Sequence, residues 1–183
     1  QALTQEAPEI VEPEEMEFVV EPYLQFVTQT SITVMWETTR SGKSTVRFGE
    51  TDAFGNEASL DEPAHLHEIK LDGLKPNTAY FYQAQTVDSK GRAIEGPISS
   101  FQTAVTADQP FAFVIISDTQ SNPQVAKQIS GHAWGQRPHF VLHPGDLVGT
   151  GANKSHWVDQ FFPSMQPLLS RVAFFPVLGN HEG

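Results

Sequence analysis

Cysteine is missing from the 183-residue chain, so neither disulfides nor thiolate metal sites are available to it. Basic residues are scarce: 11 Lys and Arg stand against 22 Asp and Glu, a net charge of −11. Such a chain cannot assemble the basic stripe that tracks a phosphate backbone, and no nucleic-acid polymer is expected as a partner. No apolar run approaches the roughly 18 residues of a membrane span. What is plentiful is Phe and Pro, 13 of each, within 39% hydrophobic residues, the composition of a globular chain rich in strands and turns.

The acidity is uneven. Glu6, Glu9, Glu12, Glu14, Glu15, Glu17 and Glu21 all precede the first basic residue, Arg40, and leave only −4 for the remainder. With Pro8 and Pro13 among the glutamates and little to bury, residues 1–17 read as a solvated acidic tail or linker. The chain begins at Gln1 and not at Met, as after removal of a leader, and the expected location is secreted or periplasmic.

Residues 18–106 carry short β-type runs separated by turn residues: Ser31–Glu37, Thr45–Phe48, Leu66–Leu71, Ala79–Thr86 and Ile98–Thr103. Alternation puts Ile32, Val34 and Trp36 on one face, and Tyr80, Tyr82 and Ala84 likewise, so one face is buried and the other wet. The same alternation sets His65 and His67 on one face beside Ile69, as packing or surface residues. The early Trp36 and the later Leu74, Pro76, Thr78 and Tyr80 resemble the pattern of fibronectin type III domains, which implies an antiparallel β-sandwich.

The grammar changes over residues 107–183. Phe111–Ile116, His139–Leu142 and Val172–Leu178 are continuous apolar runs, the mark of parallel strands covered on both faces. Between the first two, Asn122 can cap a helix with Pro123 in its first turn and Val125, Ile129, His132 and Ala133 on one stripe. Between the last two, Trp157, Phe161, Met165, Leu168 and Leu169 fall at helical spacing, and Pro163 and Pro167 bend or split that helix. Consecutive βαβ units are expected.

Each apolar run ends in polar residues: Ser117-Asp118-Thr119-Gln120, Pro144-Gly145-Asp146, and Gly179-Asn180-His181-Glu182. Parallel strands all point one way, so these three segments converge at the carboxyl edge, where α/β sheets bind ligands. Two carboxylates, an amide oxygen and an imidazole suit a pair of hard or borderline metal ions that activate water. His143 can add a hydrogen bond from behind, Glu182 reads as a supporting residue, and His132, His139 and His156 as ordinary ones.

These segments resemble the first three sequence blocks of calcineurin-like metallophosphoesterases, and the preceding sandwich matches the domain order of purple acid phosphatases. The resemblance implies hydrolysis of a small phosphate ester at two metal ions, drawn from Fe, Mn, Zn or Mg. Asp118 would bind the first, Asp146 would bridge both, Asn180 would bind the second, and His181 would face the substrate. Where the family has His two residues after the first Asp this chain has Gln120, a weak ligand, and where purple enzymes have a metal-bound Tyr it has Gly149, so no purple ferric site is expected. The family's later histidine blocks have no counterpart before Gly183, so the rest of the catalytic domain is expected beyond it and this segment alone is expected to be inactive. A second reading stays open: a scaffold that recognises a partner through the sandwich and has lost activity.

Overall fold

The computed structural model describes residues 14–183; the acidic leader, as far as Pro13, lies outside them. Its last residues are held: the Thr39 hydroxyl donates to the Glu15 carbonyl at 2.9 Å and accepts from Glu17 N–H at 2.9 Å, and Arg92 donates to the Glu14 carbonyl.

Six antiparallel strands follow, β1 (Phe18–Gln25), β2 (Ser31–Gly49), β3 (Asn56–Asp72), β4 (Ala79–Val87), β5 (Ala93–Glu95) and β6 (Ser99–Gln102). The runs at 31–37 and 45–48 belong to one strand of 19 residues. Its first part pairs with β1 and its last part with β4, while β3 follows it throughout. Register breaks between Glu37 and Ser44 mark where β2 bends from one layer of the sandwich to the other. Ile32, Val34, Trp36, Tyr80, Tyr82 and Ala84 form its core with Leu24, Leu71 and Phe101, as the alternation requires. His65 and His67 separate: His65 is exposed, but His67 is 1% exposed against Trp36. His67 continues the buried alternation of Ile69 and Leu71, and the break in the β2–β3 ladder past Glu37 separates it from His65.

The second part holds a parallel sheet ordered β7 (Phe113–Ile115), β8 (Phe140–His143), β9 (Ala173–Pro176), with α1 (Pro123–Gly135) joining the first pair. Asn122 caps α1 by accepting from Val125 N–H at 3.2 Å, with Pro123 opening the helix. The expected stripe is one position off, since Val125 and Ile129 are exposed and the buried residues are Ala126 and Ser130. Small residues let the helix approach closely, and the Ser130 hydroxyl donates to the Ser164 carbonyl at 2.8 Å. The second connection splits ahead of Pro163, into α2 (Lys154–His156), a π-helical turn over Trp157–Phe161, and α3 (Phe162–Leu169), which continues through Pro167 and whose inward residues include Met165, Leu168 and Leu169.

Coverage of the sheet departs from expectation. One face packs on Phe161, Met165 and Leu168, but Phe113, Ile115, Phe175, Val177 and Leu178 are 40% to 73% exposed on the other side and at the sheet end. Phe113 stacks on Phe140 at 5.1 Å, with Phe111 and Phe175 against the same ring, a four-ring aromatic cluster open to solvent.

The sandwich and the parallel sheet meet along β1 and α3. The buried Tyr82 hydroxyl donates to the Ser170 carbonyl at 2.8 Å, Gln166 donates to the Pro22 carbonyl at 3.0 Å, Tyr23 packs on Phe162 at 5.0 Å, and Lys154 pairs with Glu37. Burial pushes the Tyr82 phenol well above its ordinary range, so it stays a neutral donor. A groove of about 520 Å³ runs along this junction, lined by Phe18, Ile98, Lys127, Pro163 and Arg171, and shares no residue with the loops at the strand ends.

Candidate metal centre

The three loops at the carboxyl ends of β7, β8 and β9 are in direct contact. Asp118 N–H donates to the Gly145 carbonyl at 3.3 Å and Gln120 N–H to the Asp146 carbonyl at 3.4 Å, which joins the first loop to the second. His181 N–H donates to Asp146 Oδ1 at 3.2 Å, which joins the second to the third. The fit is too tight for side chains at two glycines: a Cβ on Gly145 would lie 2.7 Å from Gly179 Cα, and one on Gly179 would lie 2.2 Å from Asp146 Oδ1.

Asp118 and Asp146 both sit in the left-handed region, at φ 55° and 56°. Asp tolerates that conformation better than most residues because its short polar side chain bonds locally, and such backbone clusters at functional sites. Asp118 is exposed and accepts from Ser117 Oγ at 2.5 Å; Asp146 is half-buried; Asn180 and His181 are exposed. His181 Nδ1 lies 3.0 Å from the Gly149 carbonyl, so it must carry the proton, which leaves Nε2 as the free nitrogen of that ring.

The donor set agrees with a hard or borderline cation. Among the described residues no three His, Cys, Asp or Glu side chains converge, so the available oxygens are two carboxylates and the amides of Asn180 and Gln120. Gln120 Oε1 is buried with no hydrogen-bond partner, an orphan acceptor of the kind a cation would satisfy.

Two residues hold the loops from behind. His143, fully buried, accepts from Gly145 N–H on Nδ1 at 3.4 Å; its Nε2–H then faces the Thr119 hydroxyl at 3.1 Å, whose own proton goes to the Leu147 carbonyl at 3.0 Å. Burial lowers the His143 pKa against the opposing charges of Glu182, Asp118 and Asp146, which suits this neutral tautomer. The Glu182 carboxylate accepts from three backbone amides: Asp146 (3.0 Å), Val148 (3.1 Å) and Gly179 (2.7 Å). Burial alone would raise its pKa, but those donors hold it below the usual carboxylate range. The sequence signal for Glu182 was its place beside His181; its partners on the 146–148 loop are visible only in the fold.

Residues 19–103 match the purple acid phosphatase N-terminal domain, and residues 111–183 match the calcineurin-like phosphoesterase family. Over residues 111–183 the chain is similar to calcineurin-like phosphoesterases. The two matches stand in the domain order of purple acid phosphatases, with the sandwich in front. No curated protein sequence matches it significantly. The solved structure of purple acid phosphatase PPD1 from yellow lupin (Lupinus luteus) seeds superposes with a TM-score of 0.72 at 21% identity, over 94% of this chain and 36% of that one. A structure of PhoD gives 0.72 at 13% identity, over 96% of this chain and 40% of that one. At such identities the likeness is one of fold, and the chain spans well under half the length of either structure. The family is one of phosphoester hydrolases with metal cofactors.

Proposed function

We propose that the protein hydrolyses small phosphate esters with two metal ions held by Asp118, Asp146 and Asn180, with Gln120 as a weak further ligand. The observation that carries this reading is the convergence of three strand-end loops that present two carboxylates, two amide oxygens and an imidazole on one edge. Bound metal would supply Lewis acidity and a hydroxide nucleophile at neutral pH. Asp146 lies between the other two loops and is the residue suited to bridge. His181, its Nδ1–H held by the Gly149 carbonyl, directs Nε2 to an ester oxygen, and as an imidazolium it can donate a proton to the leaving alkoxide.

The open face of the parallel sheet supports a further part of the same proposal, that polypeptide beyond Gly183 completes the domain. Parallel sheets bury both faces, and the exposed Phe113, Ile115 and Phe175 need a covering layer. That layer is also where additional metal ligands would come from. An exported location, secreted or periplasmic, belongs to the proposal and is checked by fractionating source cells.

The test is the full-length protein dialysed against Fe, Mn, Zn or Mg and assayed with p-nitrophenyl phosphate and bis-p-nitrophenyl phosphate. Turnover that depends on metal and falls by at least about a thousandfold in Asp146→Asn is the expected result. Gln120 at the usual histidine position favours a second reading, an inactive scaffold, and that reading takes over if no metal restores turnover.

A further inference from the structure

We propose that Glu182 is the positioning residue of this site: it sets the distance between Asp146 and the Asn180–His181 turn without touching metal or substrate. The proposal rests on the phosphoesterase reading for what is positioned, and on geometry for how. Oε2 of Glu182 accepts from Asp146 N–H at 3.0 Å and from Gly179 N–H at 2.7 Å, so a single oxygen ties together two loops that are 33 residues apart in sequence. Oε1 accepts from Val148 N–H at 3.1 Å. Gly145 and Asp146, at φ 113° and 56°, turn the backbone so that the amides of Asp146 and Val148 point to one place, a nest for an anion that the Glu182 carboxylate fills.

The contact surface leaves no slack. A Cβ on Gly151 would lie 2.6 Å from Glu182 Cα, and Gly151 N–H donates to the His181 carbonyl at 2.8 Å, so the turn is seated on the 145–151 loop along its whole length. Both carboxylate oxygens accept from N–H donors of the loops, so Glu182 acts on the backbone that carries the candidate ligands. Without it the Asp146 and Val148 amides lose their acceptor, Val148 being fully buried, and the Asp146 carboxylate loses the fixed partner loop that donates to it through His181 N–H.

Two variants separate reach from charge. Glu182→Gln keeps the length and turns an acceptor oxygen into an NH2 facing N–H donors; Glu182→Asp keeps the charge and loses one methylene of reach. In both, amide hydrogen exchange at Asp146, Val148 and Gly179 should speed up by at least about tenfold, with the Trp36 region of the sandwich unchanged. In the full-length protein with Mn2+, kcat for p-nitrophenyl phosphate should fall about 10- to 100-fold while KM stays within about threefold. Faster exchange with unchanged kcat, or an Asp variant that behaves like the unsubstituted protein, overturns the proposal. If the unsubstituted protein hydrolyses no ester with any metal, the phosphoesterase reading falls by itself, and calorimetric Mn2+ affinity replaces turnover: an affinity in Glu182→Gln within about threefold of the parent overturns positioning.

Discussion

Lowering the pH should cost the sandwich stability through one residue, His67. The ring is 1% exposed and stacked on Trp36 at 4.9 Å, and both nitrogens are committed. Thr38 Oγ1 donates to the Arg40 carbonyl at 2.7 Å, so toward His67 Nε2, 2.8 Å away, it can only accept; Nε2 therefore carries the proton and Nδ1 accepts from Ser44 Oγ at 2.5 Å. A second proton has no place on Nδ1 unless Ser44 turns. Burial, with a smaller push from His65, lowers the His67 pKa from 6.5 to about 4. The unfolded chain binds this proton first as pH falls, so the contribution is complete above pH 6.5 and drains away between there and about pH 4. A displacement of that size is worth about 3 kcal/mol between the two ends of the window. Urea unfolding from pH 7.5 to 4.5 measures it, against His67→Gln, which cannot titrate there and cancels the carboxylates common to both proteins. Parallel stability profiles of parent and variant would refute the reasoning.

Gly179→Ala puts a methyl 2.2 Å from Asp146 Oδ1 and 2.4 Å from Asp146 N; thermal unfolding should register a loss of about 1–3 kcal/mol, and Mn2+ affinity should drop with it. Gly131→Ala is the contrast, because nothing lies within 4 Å of its Cβ on α1, and a gain of about 0.5–1 kcal/mol is expected in the same assay. Tyr82→Phe strands the Ser170 carbonyl at the junction and should cost about 1–2 kcal/mol in urea unfolding. Phe113→Ser with Phe175→Ser should reduce binding of a hydrophobic dye by residues 1–183 alone, yet destabilise the full-length protein by about 3 kcal/mol or more; a neutral effect there would argue against a covering layer.

Periodicity was enough to find the sandwich core, because Ile32, Val34 and Trp36 alternate with polar neighbours and have only one apolar direction to face. It was enough for the start of α1, where Asn122 and Pro123 act locally. It failed for the packed face of α1, since close approach to α3 selects Ala126 and Ser130 for small size and not for hydrophobicity. That the three candidate segments meet was legible for a topological reason, strand ends sharing an edge. What holds them was not: Glu182 answers to amides 34 to 36 residues away, and His143 to a hydroxyl 24 residues away, and no local pattern encodes such pairings. The burial of His67 follows the alternation with Ile69 and Leu71, whereas the exposure of His65, beyond the break in strand register, is what single-strand alternation cannot foresee.

The left-handed backbone at Asp118 and Asp146 restricts the residues those positions can accept before any metal is considered. Asn and Gly enter that conformation at little cost, whereas Glu, one methylene longer and without the local hydrogen bond, does not. A carboxylate could be kept at either place by Asp→Glu, at a backbone cost of about 1 kcal/mol. On backbone grounds alone Asn or Gly is the least costly replacement at these two positions, and either removes charge from the site while leaving the loops their shape.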